Sequence, residues 1–265
     1  MTLAAYTLAV TIGRGNFGPL NAALLVAALL GASLFIFVET RAESPLIRLA
    51  MFRNALLSAS LTMSTLVSTV MMATLVVGPF YLSRTLGLHA GLIGLVLSVG
   101  PFFAALTGVP AGRLADSLGA QRMTLVGLIG IASGAVLLSM IPARLGIFGY
   151  ILPLIVMTVG YALFQTANNT AVMAGIDPDQ RGLTSGLLNL SRNLGLITGA
   201  SAMGAVFAAA SSTPDITTAP ADAVANGMRV TFAVAAILIA VALAISMATH
   251  RRHSNRWTVL PAGES

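Results

Sequence analysis

The chain has 265 residues, 57% of them apolar and only 8% charged, with a mean hydropathy of +0.91. A water-soluble domain carries about a quarter of its residues as charged groups, so this composition excludes a wholly water-facing surface and requires lipid around much of the molecule. The formal charge of +6 comes from arginine alone, set in short stretches without aromatic interleaving, which sets aside nucleic acid as a partner; with no cysteine there is no disulfide framework and no thiolate metal site.

A bilayer core of about 30 Å needs roughly 20 apolar residues in a helix. The opening MTLAAYTLAVTI is too short to cross and lacks the basic start and small-residue cleavage site of a signal peptide. It reads as the end of a truncated span, followed by the turn GRGNFGP. Seven segments then have the required length: Leu20–Val38, Ala55–Leu82, Ala90–Gly112, Met123–Pro142, Ile147–Met173, Ser185–Ala210 and Met228–Ala248. Only a helix satisfies the backbone of a lone segment in hydrocarbon. The expected fold class is therefore an all-α integral membrane protein, with seven full transmembrane helices plus a truncated N-terminal one. The expected divisions are 1–19 (remnant and turn), 20–54 (extra span and linker), 55–249 (six helices) and 250–265 (a polar, mobile tail).

Arginine placement predicts the orientation. One set of loops holds Arg41, Arg48, Arg53, Arg113, Arg122, Arg181, Arg251, Arg252 and Arg256; the other holds Arg14, Arg84, Arg144 and Arg229. Nine against four puts the first set and the C-terminus in the cytoplasm, in a multi-pass protein of the cell membrane. Every Asp, Glu and His falls in a loop or at a span end, so no group titrating between pH 5 and 8 is expected at membrane depth. Paired carboxylates, a His-rich metal constellation and a serine beside a general base are all missing, which argues against an enzyme.

Three spans carry stripes of small or hydroxyl residues at helical spacing. These are Ser58, Thr62, Thr65 and Thr69; then Gly94, Ser98, Pro101, Ala105, Gly108 and Gly112; then Gly195 and Gly199, with Ala200 and Gly204 beside them. Close helix packing is the expected use, since small residues let backbones approach inside lipid. The hydroxyl stripe is also suited to lining a pathway.

The stretch YALFQTANNTAVM asks for more than packing. Tyr161, Gln165 and Asn168 are expected on one face, with Thr158 above and Asn169 adjacent. An unpartnered amide in hydrocarbon costs several kcal/mol, so these groups should meet protein or a water-filled cavity. Arg192, in LLNLSRNLG, is the costliest residue, at about 3 kcal/mol in the centre of a span. Asp177 is the expected N-cap of its helix, with Pro178 at the first helical position. Arg192 either snorkels to the interface or points inward with Asn189 and Asn193, towards an anionic group or backbone carbonyls.

The polar island GRLADSLGAQR, residues 112–122, joins two uncharged spans. It reads as a tight turn that needs its glycines, with Asp116 favouring a helix N-terminus or pairing with arginine.

Several segments in order carry a resemblance. GPFYLSRTLGLHAGLIGLVLSVGPFFAALTGVPAGRLADSLGAQR resembles the central stretch of the second half of a major facilitator superfamily transporter, most closely the 14-span drug:proton antiporters. ETRAESPLIRLAMFRN is similar to their cytoplasmic linker, and GIDPDQRGLTSGLLNLSRNLGLITGASA to the segment entering their thirteenth span.

The resemblance makes the island the second-half copy of the loop motif G-x-L-a-D-r-x-G-x-r-r, matched at Gly112, Leu114, Asp116, Gly119 and Arg122. Ser117 departs from it. Gly112, Arg113, Asp116, Gly119 and Arg122 would then form a cytoplasmic gating loop. Two inverted three-helix repeats per half are implied, with substrate between halves near the midplane. Tyr161, Gln165, Asn168, Asn169, Asn189 and Arg192 become the cavity candidates, with no cofactor and no metal. The implied substrate is a small lipophilic or cationic compound, exchanged for protons through a first half missing from this chain. A non-transporting membrane subunit is the alternative.

Overall fold

The computed structural model describes residues 2–11, 49–212 and 219–257, with isolated positions between 20 and 37 and side chains as far as residue 250. Its helices are α1 (Thr2–Thr11), α2 (Ala55–Phe80), α3 (Ala90–Leu118), α4 (Ala120–Met140), α5 (Gly146–Ala174), α6 (Arg181–Ser211) and α7 (Ala221–Trp257). Among the described residues six helices, α2 to α7, are long and apolar enough to cross a membrane. Of the expected span Leu20–Val38 only scattered positions are described, each helical; the span as a unit, the turn GRGNFGP and the linker up to Arg48 lie outside the described residues.

Local chemistry sets the helix starts. The Asn54 side chain accepts from the Leu56 and Leu57 N–H groups (3.0 and 3.4 Å), and the His89 ring accepts from the Leu92 N–H at 3.4 Å, satisfying donors that have no carbonyl a turn earlier. At the far end of α2, Pro79 precedes a widened π-type turn over Tyr81–Thr85.

The packing follows a two-fold pattern. α2 lies against α6, and α3 against α5; α4 lies against α5, and α7 against α2; α4 and α7 meet each other. Exchanging α2, α3, α4 for α5, α6, α7 maps this set of neighbours onto itself. Three crossings separate the members of each exchanged pair, so the repeats run in opposite senses across the bundle.

Backbone-close contacts hold it together. A side chain at Gly160 would lie 2.7 Å from the Gly127 carbonyl oxygen and 2.8 Å from the Ile131 nitrogen, and one at Gly127 would lie 2.5 Å from the Phe164 nitrogen. Gly130 and Gly134 continue this α4–α5 seam, which the expected stripes did not include. A side chain at Gly199 would lie 2.5 Å from the Thr69 carbonyl oxygen, and one at Gly195 would strike that of Thr65. The Thr69 and Thr65 hydroxyls donate to the carbonyls of Gly195 (3.1 Å) and Ser191 (3.2 Å), fixing α2 on α6. Ser58 and Thr62 instead donate to their own chain segment, at Phe52 and Ser58. The hydroxyl stripe thus serves packing where it meets α6.

Three expectations change. The island is not a loop: α3 runs through Leu118, α4 starts at Ala120, and Gly119 alone makes the reversal at φ +90, a conformation that only glycine adopts freely. The α3 stripe packs on none of the described residues, since a Cβ at Gly94, Gly108 or Gly112 would meet none of their atoms within 4 Å. Asp177 sits at the cap position, but of a short 3-10 turn over Pro178–Gln180, and its side chain makes no capping bond. Beyond the last candidate span, which ends at His250, α7 continues as helix to Trp257; residues 258–265 lie outside the described residues.

Candidate functional site

Arg53, Arg113, Arg122 and Arg181 all lie at one end of the bundle, and Arg84, Arg144 and Arg229 at the other. The helix packing therefore gathers the arginine-rich connections on one face. His250 and Gln121 share a 2.9 Å hydrogen bond at that end, tying α7 to α4. The remaining arginines of the two sets lie where side chains are not described.

An open groove of about 290 Å³ runs between α5 and α6, lined by Gln165, Asn169, Asn189, Arg192, Ser185 and Leu188 among others. Four of the six cavity candidates therefore come together. Spacing explains the assembly: Gln165 and Asn169 are one turn apart on α5, and Ser185, Asn189 and Arg192 are one turn apart along α6.

Arg192 lies 11 residues beyond Arg181, or about 16 Å along the helix axis. It is half-buried, and its guanidinium turns back towards the arginine-rich end, where it donates to Asn189 Oδ1 at 2.7 Å. Asn193 Nδ2 donates to the same oxygen at 3.4 Å. The expected cluster of Asn189, Arg192 and Asn193 is thus present, with neutral amide oxygen as its acceptor. On the facing wall, Gln165 Oε1 and Asn169 Oδ1 are shut off from solvent and receive no hydrogen bond.

Asn168 does not share this groove. It is 2% exposed and turns into the bundle, towards a small chamber lined by Ser60, Gln121, Thr124, Ser246 and His250, with room for about one water molecule. Asn168 is rotated about 60° from Gln165 and about 100° from Asn169 around α5, enough to turn it to the chamber-lining residues of α2, α4 and α7. Tyr161 is half-buried and packs against the main apolar core instead of lining the groove. Met173, Ser185 and Gly186 line the groove without having been expected there. Ser185 and Gly186 were legible as the small residues one turn before Asn189.

At the island, Asp116 is exposed and makes no ion pair or side-chain hydrogen bond among the described residues. It sits in the last turn of α3, where its charge opposes the dipole of that helix, and its side chain makes no hydrogen bond to the start of α4. Arg113 and Arg122 are likewise exposed, as is Gly119, while Gly112 is half-buried.

The profile of the Major Facilitator Superfamily matches residues 2–200 and 61–264. The uncharacterized transporter YebQ of Escherichia coli K12 is 30% identical over 187 residues, covering 71% of this chain and 41% of that protein. The riboflavin transporter RibZ of Clostridioides difficile is 24% identical over 208 residues, 78% of this chain and 46% of the relative. The multidrug efflux pump LfrA of Mycolicibacterium smegmatis is 22% identical over 233 residues, 83% and 45% respectively. The chain spans less than half the length of each of these relatives.

Proposed function

The chain belongs to the major facilitator superfamily, and on that premise we propose that it forms the C-terminal half of a multidrug efflux transporter working by alternating access. Superfamily members are transporters, not enzymes, and the named relatives favour this reading over a non-transporting subunit. The observation that carries it is the polar groove of Gln165, Asn169, Asn189 and Arg192, open on one side of a bundle whose α4–α5 and α2–α6 seams are closed by glycine. Polar groups at membrane depth are costly unless they face water or a ligand, and a groove without a roof suits a cavity shared with the first half.

On this reading α2 to α7 are the six helices of the second half, and α1 with residues 20–37 belongs to the extra helix pair of the 14-span type. The bare stripe of α3 is where the first half packs, and the first half also supplies the proton-linked carboxylate. The helix–glycine–helix reversal of Gly112, Arg113, Asp116, Gly119 and Arg122 acts as a cytoplasmic gate. The arginine-rich end faces the cytoplasm of a plasma-membrane protein, with small lipophilic compounds as substrates.

The test is resistance. The chain, with whatever coding sequence is continuous with it, is expressed in a host stripped of its own efflux pumps. Resistance to lipophilic drugs that collapses on adding a protonophore is expected; unchanged sensitivity overturns the efflux reading. Reporter fusions at Ser117 and Pro220 should report opposite sides of the membrane, and agreement between them would sink the assigned topology.

A further inference from the structure

Arg192 brings a full positive charge to the groove, and its one protein acceptor is the neutral Asn189 Oδ1. Its other N–H groups have no partner among the described residues. The described carboxylates are Asp116, Asp177, Asp179 and Asp222, all at helix ends, and none lines the groove. On this wall an organic cation would therefore meet like charge and, among the described residues, no counter-ion. The facing wall carries Gln165 and Asn169, whose Oε1 and Oδ1 are shut off from solvent and receive no hydrogen bond, so the unmet N–H groups of Arg192 are what the groove presents.

From this unmet charge we infer that the groove selects solutes bearing a carboxylate or similar oxyanion, held on Arg192. The inference rests on the transporter reading for its biological sense and names the substrate class of that site. It replaces the cationic part of the expected substrate range. A guanidinium presents parallel N–H groups that match the two oxygens of a carboxylate. At about 290 Å³ the groove lies near the lower end of small-molecule sites, which suits one polar end of a ligand whose apolar body extends beyond it.

Dansylphenylalanine and its methyl ester test this directly. They share the fluorophore and the sulfonamide N–H and differ in the carboxylate. Fluorescence titration of the purified protein in lipid nanodiscs should show the acid binding at least ~10-fold more tightly than the ester, a difference of about 1.4 kcal/mol. Arg192→Gln should erase that ratio, and Arg192→Lys should keep part of it.

Equal affinity for acid and ester, or an acid preference that survives Arg192→Gln, overturns the inference. Should Arg192→Gln fail to give monodisperse protein, the acid-to-ester ratios of the unmodified protein and of Arg192→Lys still decide. Vesicle transport separates the two readings. Acid-selective binding without movement of either probe breaks the transporter reading and leaves the subsite standing, whereas movement of both probes with no acid preference in binding does the reverse.

Discussion

Two stripes of small residues, on α6 and on α3, carry nearly the same rhythm and meet opposite fates. Gly195 and Gly199 of α6 lie beneath the threonines of α2, so close that a methyl group would strike backbone. Gly94, Gly108 and Gly112 of α3 face open space, and Ser98, Pro101 and Ala105 between them are exposed. Only 11% of the apolar stretch of α3 is buried, against 56% of α2. Small residues at helical spacing permit a close neighbour; they do not say whether that neighbour lies in the same chain. Inside lipid, where tails are as apolar as leucine, hydrophobicity cannot answer either.

The glycine seams should be the most sensitive to change. Gly160→Leu forces a side chain against the backbone of Gly127 and Ile131, neither of which can rotate away. A loss of at least ~3 kcal/mol is expected, beyond the usual cost of overpacking, and size-exclusion of a fluorescent fusion should show the monodisperse peak gone. A normal peak would mean that α4 and α5 do not pack as described.

Thr69→Val keeps the shape of the α2–α6 contact but removes the hydroxyl that donates to Gly195. Interhelical hydrogen bonds in membranes average about 0.6 kcal/mol, so a small, measurable fall in melting temperature is expected. No fall at all would assign the α2–α6 seam to glycine contact alone.

Gly108→Leu, on the bare stripe, should leave the melting temperature of this chain unchanged or slightly raised. Nothing stands within 4 Å to clash, and leucine is the better helix former by somewhat under ~1 kcal/mol. If α3 is where a first half packs, as proposed, drug efflux should nevertheless fall, because that face has been filled. Full efflux from a stably folded Gly108→Leu protein would leave the α3 stripe to lipid.

Asp116→Asn should have the smallest effect on the fold, within about 0.5 kcal/mol in the same melt, since the carboxylate has no partner to lose. Efflux should still drop if this charge latches against the first half. Unchanged efflux would reduce the reversal at Gly119 to a connection between helices.

How far the candidate site could be read from sequence differs residue by residue. Gln165, Asn169, Asn189 and Arg192 were legible because amides and an arginine in apolar runs stand out by cost alone. Asn168 was legible as costly but not as separate. Its position one residue from Asn169 turns it about 100° around α5, and which way that points depends on where α2, α4 and α7 sit. The α4 glycines Gly127, Gly130 and Gly134 share a helix face in the sequence, yet their weight came from meeting Gly160 and Phe164 on another helix. The island looked like a loop because its charges stand between apolar runs. Charge reports the depth of a residue in the membrane, however, not its backbone conformation, and the helices there continue past the lipid boundary.

By itself the amino-acid order determined the solvent, the helical class and the rough position of each crossing. Those follow from hydrocarbon thickness and from the cost of unpaired backbone groups, which act on every segment separately. Which stripe would be covered, which amides would share a groove, and that Arg192 would stand there without an acidic neighbour were decided only in three dimensions. Side chains on different helices acquire their neighbours from the rotation and pairing of whole helices, and packing between segments distant in the chain sets both.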